Sequence, residues 1–250
     1  MTSGAHAPVT CGRYHPELVT AQASAEQPAS FRQHRFVPPP GATELILVRH
    51  GESEAYVDGQ PFALVAGQGD PPLSANGVEQ ARRVCARLAA EPIKAIYVTT
   101  LQRTGQTAAA LAERLGIEPQ TDADLREVHL GDWEGGLYRK MVAENHPVIQ
   151  QVTAQERWDL LPGGETNAAL AARLRGSVAR IAASHPDECV AAFTHGGVIG
   201  MTMALASGSR PFAFLGAANA SISRIVITGD RWIVRTYNDT AHLDDLALPA

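Results

Sequence analysis

Short unbroken apolar runs alternate with longer stretches in which apolar residues recur every three or four positions, and this alternation starts at Glu44. Leu45-Ile46-Leu47-Val48 is the first run. It stops abruptly at Arg49-His50-Gly51-Glu52, as a buried strand running into a polar loop does. Val78, Ala81, Val84, Cys85 and Leu88 then mark one face of a helix, and residues 95–99 predict a second strand. Thr107, Ala108, Leu111, Ala112 and Leu115 form the stripe of a further helix, for which Gly116 is the expected C-terminal stop. Between residues 118 and 166 the period is lost. This irregular stretch, which carries Trp133, Trp158 and Pro162-Gly163-Gly164-Glu165, is the natural place for a lid over a site. Leu170, Leu174, Val178 and Ile181 restore a helical stripe over residues 167–183. A strand at 189–193 and a helix at 198–206 follow. Residues 222–228 and 232–237 alternate as two hairpin strands across Gly229-Asp230.

Strands alternating with helices predict an α/β fold, a three-layer α/β/α sandwich around a mostly parallel sheet, with the last hairpin making at least one strand antiparallel. The same pattern divides the chain into an N-terminal extension (residues 1–43), one domain (44–240) and a C-terminal tail (241–250). The extension has no period, is rich in Ala, Gln, Ser, Pro and His, and ends in Val37-Pro38-Pro39-Pro40-Gly41, which resists helix and strand alike. Its segment 31–36, Phe-Arg-Gln-His-Arg-Phe, reads either as solvated tail or as a docking element.

Composition narrows the partners more than the fold. With 45% hydrophobic and 19% charged residues the 250-residue chain is globular and long enough for a full core. Its net charge of −5 argues against a nucleic-acid partner and against an anionic membrane surface, but not against a small cationic pocket. Cys11, Cys85 and Cys189 are odd in number, widely spaced and without a C-x-x-C pair, so neither a disulfide framework nor a zinc ribbon is expected. Cys85 and Cys189 read as buried thiols. No apolar run approaches the ~20 residues of a membrane span, and no signal-peptide core is present. A soluble cytoplasmic protein is expected, and a homo-oligomer is compatible with all of this.

Ligands on open α/β sheets bind outside the carboxyl ends of the strands. Two such ends carry histidine and glycine, Val48-Arg49-His50-Gly51 and Phe193-Thr194-His195-Gly196-Gly197. A third, Thr99-Thr100-Leu101-Gln102-Arg103-Thr104, carries arginine. A parallel sheet brings all three to one edge. Two histidines and two arginines there repel one another unless an anion lies between them. A tetrahedral phosphate suits the guanidinium fork, and the backbone N–H groups of Gly196 and Gly197 at a helix start would add donors. His50, Glu52 and Asp70 do not form a convincing metal set, and no metal or other cofactor is expected.

Arg49-His50-Gly51-Glu52-Ser53 resembles the Arg-His-Gly signature of the histidine phosphatase superfamily, the phosphoglycerate-mutase-like proteins. Further pieces follow in that family's order: Pro72-Leu73-Ser74-Ala75-Asn76-Gly77, Thr100-Leu101-Gln102-Arg103-Thr104, Leu125-Arg126-Glu127, Gly131-Asp132-Trp133-Glu134-Gly135, Gly163-Gly164-Glu165-Thr166 and Thr194-His195-Gly196-Gly197. The resemblance implies that His50 is the nucleophile that becomes phosphorylated, that Arg49, Arg103 and His195 hold the phosphoryl oxygens, and that Glu127 donates the proton to the leaving oxygen. Because Gly196, not Asp, follows His195, it implies the branch whose acid is the mid-chain Glu. Thr100 stands where the family has a small hydroxyl residue, serving either a phosphate-side hydrogen bond or a helix cap. Trp133 reads as a structural anchor before a substrate platform. Tyr56, His129, Arg139, Arg157 and Trp158 are candidates for the leaving-group pocket. Tyr56 replaces an Asn that many relatives carry, and the long extension before Leu45 is also a departure.

The function these residues imply is metal-independent hydrolysis of a small phosphate ester through a phosphohistidine. The sequence after Glu127, Val128-His129-Leu130-Gly131, lacks the Arg-His-Tyr-Gly-like run of phosphoglycerate mutases, so hydrolase is expected ahead of mutase. A non-catalytic phospho-ligand binder is the third reading. It is disfavoured because both His50 and Glu127 are present.

Overall fold

The computed structural model describes residues 30–244. The chain divides after Phe36 into two units. In the first, the described residues 30–36 have no regular secondary structure and are exposed, Phe31 almost completely. Residues 1–29, which make up most of the predicted extension and include Cys11, lie outside the described residues.

The second unit is an α/β sandwich. Its elements are β1 (Thr43–Arg49), a short hairpin β2 (Leu64–Val65) and β3 (Gln68–Gly69), α1 (Ala75–Leu88), β4 (Ile93–Val98), α2 (Gln102–Leu115) and β5 (Gln120–Thr121). They continue with α3 (Leu137–Ala143), α4 (Pro147–Gln155), α5 (Asn167–Ser184), β6 (Cys189–Thr194), α6 (Gly196–Ser207), β7 (Ile222–Thr228) and β8 (Arg231–Asp239). The six-stranded sheet has the order β5-β4-β6-β1-β7-β8. Strands β5, β4, β6 and β1 pair in parallel, and β7 and β8 add antiparallel pairs at one edge. The mostly parallel α/β sheet and its antiparallel final hairpin were both expected from the pattern.

The unbroken apolar run of β1 follows from burial on both faces. Successive side chains point to opposite sides. Leu45 and Leu47 join a cluster with Leu170, Leu174 and Val178 of α5 and Val198 and Ile199 of α6. Ile46 and Val48 join Val84 and Leu88 of α1 and Ala108 and Leu111 of α2. Each fully buried Leu or Ile contributes about 1.5–3 kcal/mol relative to exposure, so the two helical layers fix the central strands from both sides. Helix ends follow the sequence signals. Ser74 caps α1 by accepting from Gly77 N (3.1 Å), and Thr166 caps α5 by accepting from Ala169 N (3.0 Å). Gly116 ends α2 in the left-handed conformation at φ 64°.

The irregular stretch 118–166 differs from the expected lid. Leu125, Trp133, Val152, Trp158 and Leu161 are buried in the core that α5 and α6 share. Lifting them would expose several large apolar side chains at once, so the segment is a packed wall. Cys85 and Cys189 are buried free thiols, as expected. Burial, with a smaller push from Glu44, moves the Cys189 thiol up to about 12. After β8, residues Ala241–Leu243 form a 3-10 turn. Leu243 is buried beside α1 and α2, and His242 Nε2 lies 3.1 Å from the Ala220 carbonyl. Among the described residues no helix is long and apolar enough to cross a membrane.

Candidate active site

The parallel pairing of β1 with β6 places Arg49 opposite Thr194. His50 and His195 therefore leave the sheet side by side. The backbone N–H of His50 donates to Thr194 O (2.9 Å), and the two imidazole centroids are 5.1 Å apart. On the other side of β6, Tyr97 of β4 lies opposite Ala192, which brings Thr99 and the start of α2 to the same edge. Arg103, in the first turn of α2, is buried against this pair. Close approach at the edge depends on two glycines: a Cβ on Gly51 would lie 2.5 Å from the Gly77 carbonyl oxygen, and one on Gly77 would meet the Glu52 carbonyl at 1.9 Å.

The tautomer of His50 is set by its neighbour. Nδ1 is 2.7 Å from the carbonyl oxygen of Gly51, which can only accept, so Nδ1 carries the hydrogen and Nε2 keeps its lone pair. That lone pair accepts a hydrogen bond from Arg103 Nε at 3.2 Å. Burial first, then Arg103 and Arg49, hold the imidazole well below its ordinary value, so the ring is neutral at pH 7. The backbone behind it is anchored from a loop the sequence did not mark: the Asn219 side-chain amide and the Ala220 N–H both donate to the His50 carbonyl, at 3.0 and 3.2 Å.

Around Nε2 the donors converge. Arg49 is tied through Nη1 to the Ala217 carbonyl (2.5 Å), while its buried Nε has no partner among the described residues. Arg103 donates through Nη1 to the Gly69 carbonyl (3.0 Å) and lies 3.8 Å from Asp70. Burial lowers the Arg103 guanidinium to about 10, which leaves it charged. His195 Nε2 meets the Thr99 hydroxyl at 3.1 Å, and its buried Nδ1 has no partner among the described residues. Burial, followed by Arg103, His50 and Arg49, holds His195 well below its ordinary value as well. Buried polar atoms without partners are uncommon. Two of them beside one imidazole, among arginines, are donors suited to a polyoxyanion.

Glu127 is held at both ends. Its carboxylate accepts from Gly197 N (3.1 and 3.3 Å) and from Val128 N (2.9 Å). Its carbonyl accepts from Gln68 Nε2 (2.7 Å) and from Arg173 Nη2 (3.0 Å), and Arg173 is itself paired with Glu165 at 2.7 Å. Glu165 and Glu134 are thereby structural, Glu134 accepting from the N–H groups of Gly69 and Leu130. One amide expected to face an anion, that of Gly197, is spent on Glu127 instead.

A cavity of about 350 Å³ opens beside these groups; His195, behind His50, and Gly196 are not among its lining residues. Arg49, His50, Arg103, Glu127 and Gly197 all line it. Of the predicted pocket residues, Arg139 and Trp158 line it and Tyr56, His129, Thr100 and Arg157 do not. Tyr56 packs edge-on against Phe62 (6.0 Å) and under Gly136. His129 Nδ1 accepts from Gly131 N (3.0 Å), which fixes the turn before Trp133. Thr100 is exposed, because side chains alternate along the strand and Thr99, in phase with Tyr97, is the hydroxyl that turns inward to His195. Arg157 is engaged with Asp159. Trp133 is buried and stacks edge-on against His146 (5.2 Å), as a structural anchor does, and it also lines the cavity. Gln68, Asn219 and Tyr138 also line the cavity and were not singled out. For Gln68 the available signal was an amide side chain between two glycines, and for Asn219 an amide in an Ala-rich loop, Gly216 to Ser221. Among the described residues no cluster of three or more His, Cys, Asp or Glu could hold a metal ion.

An α/β sheet that presents a neutral imidazole and two arginines to one cavity, with a second histidine packed against that imidazole, suits a protein that handles phosphoryl groups. The sequence comparisons agree. Residues 45–240 match the histidine phosphatase superfamily, branch 1. Phosphoglycerate mutase-like protein 4 of Arabidopsis thaliana is 33% identical over 209 residues, covering 81% of this chain and 87% of that protein. A probable phosphoglycerate mutase of Serratia proteamaculans is 31% identical, covering 82% of this chain and 97% of its own. Among solved structures, a mycobacterial glucosyl-3-phosphoglycerate phosphatase superposes with a TM-score of 0.66 at 31% identity, covering 80% of this chain and all of that one. The chain belongs to branch 1 of the histidine phosphatase superfamily, whose similar members include proteins named as phosphatases and as phosphoglycerate mutases.

Proposed function

We propose that the protein hydrolyses a small phosphorylated metabolite without a metal, through a phosphohistidine at His50. The observation that carries this reading is the state of His50: neutral, with its hydrogen fixed on Nδ1 by the Gly51 carbonyl and its Nε2 lone pair directed at the cavity beside Arg103. A phosphate monoester entering the cavity takes over the Arg103 Nε donor, which releases the Nε2 lone pair. Its other oxygens are met by Arg49 Nε and His195 Nδ1. The dianion also offsets the arginines, which favours the imidazolium form of His195, with Nε2–H donating to Thr99 and Nδ1–H to the phosphoryl group.

The Nε2 lone pair then attacks phosphorus in line. The N–P bond forms as the P–O bond to the leaving group breaks, and the leaving oxygen takes its proton from Glu127. In the second step the Glu127 carboxylate removes a proton from water. The water oxygen attacks phosphorus, the N–P bond breaks, and inorganic phosphate leaves with the Nε2 lone pair restored.

The names of the curated relatives favour a second reading, phosphoryl transfer between the positions of a phosphoglycerate. One assay separates the readings: wild-type protein with 3-phosphoglycerate, with and without bisphosphoglycerate primer, beside a panel of phosphate monoesters. Net release of inorganic phosphate from the panel is expected. Efficient primed formation of 2-phosphoglycerate would refute the hydrolase reading. Phosphate binding with no turnover of any ester would mean a binding module.

A further inference from the structure

The phosphate-holding set accounts for only part of the cavity. The rest includes Phe62, Val128, Leu130, Trp133, Tyr138 and Trp158, so a bound leaving group meets a substantial apolar and aromatic surface alongside polar side chains. The ionised groups there hydrogen-bond to neutral groups of the protein. Arg139 donates to the Glu54 carbonyl (2.7 Å) and to Ser53 Oγ (2.8 Å) and lies over the Phe62 ring at 5.2 Å. The carboxylates of Glu52 and Glu134 accept from Ser74 and Asn76, and from the Gly69 and Leu130 amides. Outside the phosphate-holding set, a second acidic group on the substrate would meet these two carboxylates and a single guanidinium, that of Arg139, whose fork is turned to Glu54 and Ser53.

Among the polar groups of this wall, the Tyr138 hydroxyl is available as a donor. Tyr138 lines the cavity, its ring lies 6.3 Å from that of Trp158, and its hydroxyl has no hydrogen-bond partner among the described residues. Burial, then the charge of Glu127, pushes the phenol up to about 12, so it remains a donor through the working range of the enzyme and shares the neighbourhood of the acid. A hydroxyl-bearing group bound beside Glu127 is the natural partner for such a donor.

We infer that the leaving group is an uncharged ring alcohol carrying further hydroxyls, of the pyranose kind, and that Tyr138 selects it by hydrogen bonding one of those hydroxyls. This rests on the phosphomonoesterase reading above and deepens it. The apolar walls take the ring face, and the Tyr138 hydroxyl reads its edge.

The test compares kcat/KM for glucose 6-phosphate, 3-phosphoglycerate and p-nitrophenyl phosphate in wild-type protein and in Tyr138→Phe. Wild-type protein is expected to prefer the pyranose ester to the glycerate ester by tenfold or more. In Tyr138→Phe the ratio of kcat/KM for glucose 6-phosphate to that for p-nitrophenyl phosphate is expected to fall by about tenfold, mainly through KM, as loss of one neutral hydrogen bond does. Any misfolded fraction lowers both rates alike and leaves that ratio untouched. An unchanged ratio overturns the role of Tyr138. Release of phosphate from p-nitrophenyl phosphate with a preference for the glycerate ester overturns the substrate class alone. No release from any of the three defeats the phosphomonoesterase reading and this inference with it.

Discussion

Gly197 offers a way to move the proposed acid without touching its chemistry. A Cβ at this position would lie 2.7 Å from Glu127 Oε1 and 3.3 Å from Val128 Cγ1. Ordinary contact begins near 3.4 Å, so in Gly197→Ala the carboxylate must retreat by about 0.7 Å. It then weakens the hydrogen bonds from Gly197 N that now measure 3.1 and 3.3 Å. Displacements approaching 1 Å in a catalytic group cost up to about a hundredfold. The expected loss in kcat for an alkyl phosphate is about ten- to a hundredfold, or roughly 1.4 to 2.7 kcal/mol of barrier. Nitrophenolate departs without a proton, so p-nitrophenyl phosphate should lose less than about threefold. Stability should move little, since alanine gains up to about 1 kcal/mol over glycine in a helix, which offsets the crowding at the start of α6. Parallel steady-state kinetics on the two esters and a thermal melt measure all three quantities. Equal slowing of both esters would remove Glu127 from the acid role, and a large fall in Tm would show that the position matters for folding instead.

His50→Ala should abolish turnover of every ester while the protein still folds, and residual turnover above background would exclude His50 as nucleophile. Gln68→Ala removes the 2.7 Å bond to the Glu127 carbonyl and should lower kcat for alkyl esters several-fold with little change for p-nitrophenyl phosphate; an equal effect on both would assign Gln68 to phosphate binding. The two active-site histidines are held neutral by burial and by Arg103. Below about pH 6.5 the unfolded chain therefore binds protons that the folded protein does not. Stability should rise with pH across this window and be lost as pH falls below it. In urea titrations between pH 7.5 and 5.5 the His50→Gln variant should show a shallower dependence, and an identical slope would contradict the neutral assignment. Vanadate should inhibit competitively and EDTA should leave turnover unaltered; loss of activity restored by a divalent cation would overturn metal independence.

The chemistry that was legible in the sequence sits at strand ends. A strand buried on both faces must be apolar throughout, so Arg49-His50 after Leu45–Val48, and His195 after residues 189–193, stand out against the run before them. The parallel sheet then fixes their adjacency, as the Arg49–Thr194 register demonstrates. Gly116 announced the end of α2 for the same reason, because only its left-handed φ continues the chain there without strain. What stayed hidden works through the backbone. Gln68 holds a carbonyl of Glu127 and Asn219 a carbonyl of His50, and such contacts join loops far apart in sequence without leaving any period. The hairpin of β2 and β3 has two residues per strand, too few for alternation to show. Thr99 and Thr100 are adjacent hydroxyls, and only the strand phase tells which one turns inward. Tyr56 and His129 were drawn toward the pocket by their position in the chain, whereas packing beneath Gly136 and a turn hydrogen bond account for them. The long segment 118–166 read as a lid because its apolar residues are irregularly spaced, yet irregular spacing also describes a wall built from short turns around two buried tryptophans.

The central claim is covalent catalysis by His50. Rapid acid-free quench of wild-type protein with a labelled phosphate monoester, followed by peptide mapping, tests it most directly. The account predicts a base-stable, acid-labile phosphoryl group on His50 that forms and decays at rates compatible with turnover and is absent in His50→Ala. Turnover with no phosphoenzyme at any quench time, or a label on another residue, would contradict it.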